Sequence, residues 1–446
     1  MFKNSAAIAQ RLARSRGQTR FASTKSVREV LEEVVPKKQL QLKQLKTEHS
    51  QAVIGEIKVE HVVGGHSLPR PQHSECQKVL PPAPGGKEVI AESMLWLLLT
   101  GKVPTEAETR QLSRELAEKG ELPEYIEKLI DSLPSTLHPM TQLGMGVAAL
   151  NHESKFQAAY ERGIKKSEYW TYALEDSLDL LARLPTLAAR IYRNVYHPGK
   201  PIPKVNKDLD LVGNYVNMLG FGDNHDLTEY LRLYIAIHGD HEGGNASAHT
   251  SHLVGSTLAD PYLSYAAGLY ALAGPCTGTD WSLLANQEVL RWQMNMQKEL
   301  GDVITHDNIK DFLWRTLKSG QVVPGYGHGV LRNPDPRFDA LLKFCDTRPG
   351  LMADPIVQLS KRRTFEVAPG VLKEHGKSKN PYPNVDAASG CVLYHYGLQE
   401  FKYYTVIFGV SRALGCLTQY VWSRALGLPI ERPKSLSMDA ILQLVK

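Results

Sequence analysis

Apolar residues in this chain recur every three or four positions, and that spacing limits what it can fold into more than any other feature. Val89 to Thr100, Thr105 to Lys119, Glu124 to Leu133, Ser167 to Leu184 and Leu227 to Ile237 all carry it, with Pro and Gly between them. Residues at this spacing share one face of a helix, and that face must be buried against a neighbour. Strand-like alternation is confined to Ile57-Lys58-Val59-Glu60 ahead of Gly64-Gly65, which suggests one small hairpin. Val27 to Lys46 has helical spacing with a break expected at Pro36. The fold class is mainly α. At 446 residues the chain has room for two or three domains. Its longest apolar run, Tyr262 to Pro275, is shorter than the ~18–20 residues that cross a bilayer. Rich in Ala and Gly, it reads as a buried, closely packed helix.

The formal charge of +5 is concentrated at one end. Lys3, Arg11, Arg14, Arg16, Arg20, Lys25 and Arg28 precede any acidic residue, and the remaining basic residues nearly balance the 47 acidic ones. Nucleic-acid binding would need a basic face on the folded body, and none is visible. Residues 1–28, basic, Ser-containing and acid-free, have the composition of a mitochondrial transit peptide, which implies the mitochondrial matrix. Five scattered cysteines without a C-x-x-C pair suggest neither a disulfide frame nor a zinc site.

Four segments could carry chemistry. His238-Gly239-Asp240-His241-Glu242-Gly243-Gly244-Asn245, with His249 and His252 beyond it, could hold a metal, form a polar core or make a substrate-binding turn. Pro324-Gly325-Tyr326-Gly327-His328 presents a histidine at a glycine-rich turn, with Arg332 and Arg337 as forked donors nearby; an ordinary surface turn is the alternative. Asp386 ends the Pro-rich stretch Asn380-Pro381-Tyr382-Pro383-Asn384, where it could cap a helix or act as a base. Arg412 interrupts the small-residue run Gly409 to Gly415, so it needs either an anionic ligand or a salt bridge. Glu431-Arg432-Pro433-Lys434-Ser435 follows.

With Pro134-Ser135-Thr136-Leu137-His138-Pro139-Met140 ahead of them, these segments resemble the citrate synthase family, in order, from Gln51 to Lys446. The resemblance implies a two-domain, all-helical fold, with residues 29–283 and 399–446 in a large domain and 284–398 in a small one that closes over the substrates. It implies condensation of oxaloacetate with acetyl-CoA, a co-substrate rather than a cofactor, with no metal. Asp386 would take the methyl proton and His328 would donate to the oxaloacetate carbonyl. His241, Arg337, Arg412 and Arg432 match oxaloacetate ligands, Arg432 by reaching the neighbouring subunit of a homodimer. Arg332, Gly325 and Gly327 match the CoA-binding region, and Lys166 a basic CoA contact. Synthesis of 2-methylcitrate from propionyl-CoA is a close alternative. A metalloenzyme using His238, Asp240, His241, His249 and His252 is a distant one.

Two departures interrupt the match. Where the family carries a histidine that activates the thioester carbonyl, this chain has Thr277, and Thr279 to Leu283 read as an insertion. After Gly65, the chain passes through His66 to Pro71 directly to Glu75, without a segment that would carry a basic CoA contact. Both breaks are abrupt and flanked by family sequence. That is the pattern of mis-joined exons; the alternative is a paralogue that binds ligands without turnover.

Overall fold

A computed structural model describes residues 25–48, 79–239, 243–274, 282–301, 304–327, 333–360 and 365–432. The helix Tyr404–Ala425 is the centre of the structure because it is apolar around its whole circumference, and nearly all of its residues are buried. Around it pack Tyr169–Tyr196, His225–His238, Ala91–Thr100, Ala246–Ser256 and Pro261–Leu272. Polar groups fix the register: Ser411 Oγ donates to Ile235 O (2.7 Å), Gly415 N–H to Gly239 O (2.8 Å) and Trp422 Nε1 to Leu99 O (3.1 Å). Among the described residues there is no sheet, only isolated bridges at Pro82–Val89 and Tyr326–Pro383. No helix of these residues is long and apolar enough to cross a membrane. The Ile57–Gly65 hairpin and residues 1–24 of the leader lie outside them, whereas Val27 and Arg28, counted with the leader, open the helix Val27–Glu48, and Val27 is buried.

Two prolines expected to end helices do not. Val27–Glu48 runs through Pro36, and Tyr169–Tyr196 continues past Leu184 through Pro185. An internal proline costs ~3 kcal/mol. Beyond Pro185, however, Leu187, Ile191 and Tyr192 are completely buried, at roughly 1.5–3 kcal/mol for a large apolar side chain. Tertiary burial outweighs the proline. Pro261–Leu272 is closely packed on one side, where Gly268 lies against Ser247 and Ser251 of Ala246–Ser256. Its other side is not buried as expected: Leu263 is 40% and Tyr270 46% exposed. Cys345, Cys391 and Cys416 are buried thiols.

A second apolar cluster is separate from the main core. Met296, Ile309, Phe312, Leu313, Val323, Leu359 and Val371 form it where Ser282–Leu300, His306–Lys318 and Phe365–His375 meet. Pro336–Asp346 and Asp386–His395 instead join the main core: Phe344 packs on Tyr230 (5.4 Å between rings), whose hydroxyl donates to Ser389 O (2.7 Å).

One buried acid adds a pH dependence. Glu92 accepts from Ser113 Oγ (2.9 Å) and Leu211 N–H (2.8 Å), and burial, then the charge of Asp210, pushes its carboxyl up to about 7. Asp210 is itself held by the fork of Arg232 (3.1 and 2.6 Å). Folded Glu92 keeps its proton to higher pH than the unfolded chain does. Its contribution is therefore full below the ordinary carboxyl range and is lost as pH rises through about 7. Asp176, raised by burial to about 6, acts in the same direction. Glu92→Gln should shrink the difference in urea midpoint between about pH 5 and pH 8; an unchanged difference would place the dependence elsewhere.

Candidate active site

The turn 324–327 and the stretch 380–386 are far apart in sequence, and the backbone joins them. Asn384 N–H donates to Gly325 O (2.9 Å), Gly327 N–H donates to Tyr382 O (3.3 Å), and Tyr326 bridges Pro383. The Asn384 side chain completes the join: its Nδ2 donates to Gly327 O (3.1 Å) and its Oδ1 accepts the N–H of Asp386 (3.1 Å). Glycine is needed at 325. Its φ is +80°, and an added Cβ would lie 2.8 Å from Ala387 Cα. The turn is thus pressed directly against the first turn of Asp386–His395, where Asp386 is 2% exposed. His328 and Arg332 lie outside the described residues, but His328 is the next residue after Gly327.

Asp335 anchors the same place from another side. It caps Pro336–Asp346 by accepting Arg337 N–H (3.0 Å), grips the Arg337 guanidinium (2.8 to 3.2 Å) and accepts Val385 N–H (3.1 Å). Burial alone would raise its pKa, but Arg337 and these donors outweigh it and hold Asp335 below the usual carboxylate range. Arg412, 3% exposed, donates from Nε to His238 O (2.9 Å) and stacks over Phe408 (4.6 Å).

These groups converge on the C-terminal end of His225–His238. Tyr234 and His238 stack there, 4.1 Å between rings. Burial, then the charge of Asp386, pushes the Tyr234 hydroxyl up, against Arg412 and Arg337. Burial, then Arg337, pushes His238 well down, so its ring is neutral. With Nδ1–H donating to Tyr234 O (2.7 Å), Nε2 is left as an acceptor, and neither it nor the Tyr234 hydroxyl has a partner among the described residues. The result is a buried carboxylate, two guanidinium groups and a neutral imidazole in one place, suited to binding a small dicarboxylate and moving a proton beside it.

His241 and Thr277 lie outside the described residues. The histidine pairs do not share a helix: His238 ends one, whereas His249 and His252 lie on Ala246–Ser256, His249 being 3.8 Å from Glu431 and His252 bonding Gln419. Among the described residues no three potential metal ligands gather. Arg432 is exposed; the preceding Glu431 is tied by its N–H to Ser256 Oγ (2.9 Å). Lys166 is exposed beside Gly427, fifteen residues beyond Arg412 and so roughly 20 Å along the helix direction. One chain therefore leaves Lys166 away from Asp386. Sequence reasoning passed over Tyr234, Asp335 and Asn384. Asp335 had a usable signal, an acid directly before a proline that starts a helix.

Comparison with known proteins agrees with this picture. A family model described as "Citrate synthase, C-terminal domain" matches residues 76–434. A relative in Emericella nidulans, named "Citrate synthase, mitochondrial", is 51% identical, covering 95% of this chain and 91% of its own length. One in Gibberella moniliformis, named "2-methylcitrate synthase, mitochondrial", is 50% identical over 93% of this chain and 91% of its own. The solved citrate synthase of Pyrobaculum aerophilum superposes with a TM-score of 0.66 at 28% identity, covering 78% of this chain and 83% of the other.

Gly325→Ala tests the join. A non-glycine residue held at this φ costs ~1–3 kcal/mol, and the close approach to Ala387 adds to that. The variant should lose stability by at least this amount in urea unfolding. A change within about 0.5 kcal/mol, the usual range for surface substitutions, would mean the turn is not pressed on Asp386.

Proposed function

Because the chain belongs to the citrate synthase family, we propose that it is a mitochondrial acyltransferase condensing acetyl-CoA with oxaloacetate to citrate and CoA. The observation that carries this reading is the join of the 324–327 turn to Asp386 beside Arg337 and Arg412. Asp386 takes a proton from the acetyl methyl, and the resulting carbon attacks the oxaloacetate carbonyl. As the carbon–carbon bond forms, His328 donates a proton to that carbonyl oxygen; water then cleaves the thioester and releases CoA. His241, Arg337 and Arg412 hold the oxaloacetate carboxylates, and Gly325, Gly327 and Arg332 meet CoA. The reaction requires no metal and no cofactor.

The functional unit is a homodimer, with Arg432 reaching the neighbouring site. Its exposure supports this, as do the exposed apolar residues Leu253, Leu263 and Tyr270 on Ala246–Ser256 and Pro261–Leu272. Lys166 adds a basic contact to CoA. Residues 284–398 form the small domain, which closes over bound substrates and excludes water.

Thr277 limits the rate. Removing one donor to a developing oxyanion costs ~10²–10³ in kcat. A CoA-release assay should therefore show the natural chain at least ~100-fold slower than Thr277→His with Thr279 to Leu283 deleted. Equal rates would mean another group activates the thioester. Propionyl-CoA in parallel separates the two activities named among the relatives, since one methylene changes specificity by only ~1–3 kcal/mol.

A further inference from the structure

Arg424 lies near the far end of the central helix, twelve residues and about 18 Å from Arg412. It is 4% exposed, and its Nε has no hydrogen-bond partner among the described residues. No carboxylate among the described residues lies within the 4.0 Å of an ion pair. What it does have is the ring of Tyr420, 5.5 Å away. A guanidinium stays charged even when buried, and a buried charge is expensive unless an opposite one meets it. Burial pushes Arg424 below its ordinary pKa, offset only in part by the hydroxyls of Tyr420 and Tyr169 and by no carboxylate.

Arg424 lines a cavity of about 210 Å³, with Ser251, Ser256, Tyr420, Ser423 and Glu431 among its walls. Ser256 Oγ is engaged with Leu253 O and Glu431 N–H, and Tyr420 OH with Ala259 O. The hydroxyls of Ser251 and Ser423 make no hydrogen bond among the described residues and remain as donors. Glu431 is the acid of the cavity, but its carboxylate approaches His249 Nδ1 (3.8 Å) rather than Arg424. The volume is below the ~300–1,000 Å³ of sites for larger organic ligands, yet holds several waters.

We propose that this cavity binds a small oxyanion, a phosphate or short carboxylate, held by the Arg424 fork and the Ser251 and Ser423 hydroxyls. It is separate from the Asp386 cluster and does not depend on the activity proposed there. The anion neutralises Arg424 and fixes residues 428–431, which form one wall.

The test is thermal unfolding of the full chain in potassium phosphate, and in potassium acetate, against potassium chloride at matched ionic strength. One or both anions should raise the Tm of the natural chain saturably, and which one does so identifies the chemistry. Arg424→Lys, which keeps the charge without the fork, should need at least tenfold more anion for half the gain. Arg424→Met should show no gain, and in chloride alone its Tm should equal or exceed that of the natural chain because an uncompensated charge is gone. Equal gains in the natural chain and Arg424→Met would reduce the effect to general salt stabilisation and overturn the proposal. A lower Tm for Arg424→Met in chloride would also overturn it, since Arg424 would then already be neutralised by a carboxylate of the protein itself, such as Glu431 or one from a second copy.

Discussion

The site depends on a four-residue turn held against a proline-rich stretch by two backbone hydrogen bonds and one from a side chain. Asn384 contributes to most of them: its N–H holds Gly325 O, its amide holds Gly327 O, and its carbonyl oxygen takes the N–H of Asp386. A reacting group two or three residues from such a clamp inherits its position, and about 1 Å of misplacement can cost 10²-fold in rate. The prolines at 381 and 383 stiffen the partner stretch, so little further freedom is lost when the two segments meet.

Electrostatics complete what the clamp begins. Two arginines are drawn into a largely buried region, and each is held in a different way. Arg337 has the Asp335 counterion, whereas Arg412 leans on a carbonyl and an aromatic face. Burial, reinforced by their combined field, keeps His238 neutral, and that field favours an anionic ligand. Asp335 ties this field to the clamp, because one carboxylate caps a helix, neutralises Arg337 and holds Val385. A dicarboxylate entering here meets donors already oriented, which is the condition for binding without large reorganisation.

Helix existence and type were legible because their apolar spacing is regular; Glu106–Lys119 even begins at the Thr105–Glu108 capping box. Helix ends at Pro36 and Pro185 were not, since burial elsewhere in the core decides them. At the site, the residue types of Asp386, Arg337 and Arg412 were legible from motif order. That the 324–327 turn pairs with 380–384 was not, because backbone hydrogen bonds between distant segments leave no trace in composition. Tyr234 was hidden for a related reason: on an amphipathic stripe it reads as core, and only its neighbours give it a polar setting. Arg424 was unremarked within an apolar helix, though a buried arginine there always requires an explanation.

In the proposed mechanism Thr277 bears on turnover and not on binding, because the groups proposed to hold oxaloacetate do not include it. Isothermal titration of the natural chain with oxaloacetate, beside Arg412→Met, therefore tests the arrangement directly, whatever the rate of condensation. The account predicts saturable binding by the natural chain and at least a tenfold loss in the variant, about the ~1.4 kcal/mol or more expected when a charge-assisted contact is removed. No binding by the natural chain, or equal binding by both, would contradict it.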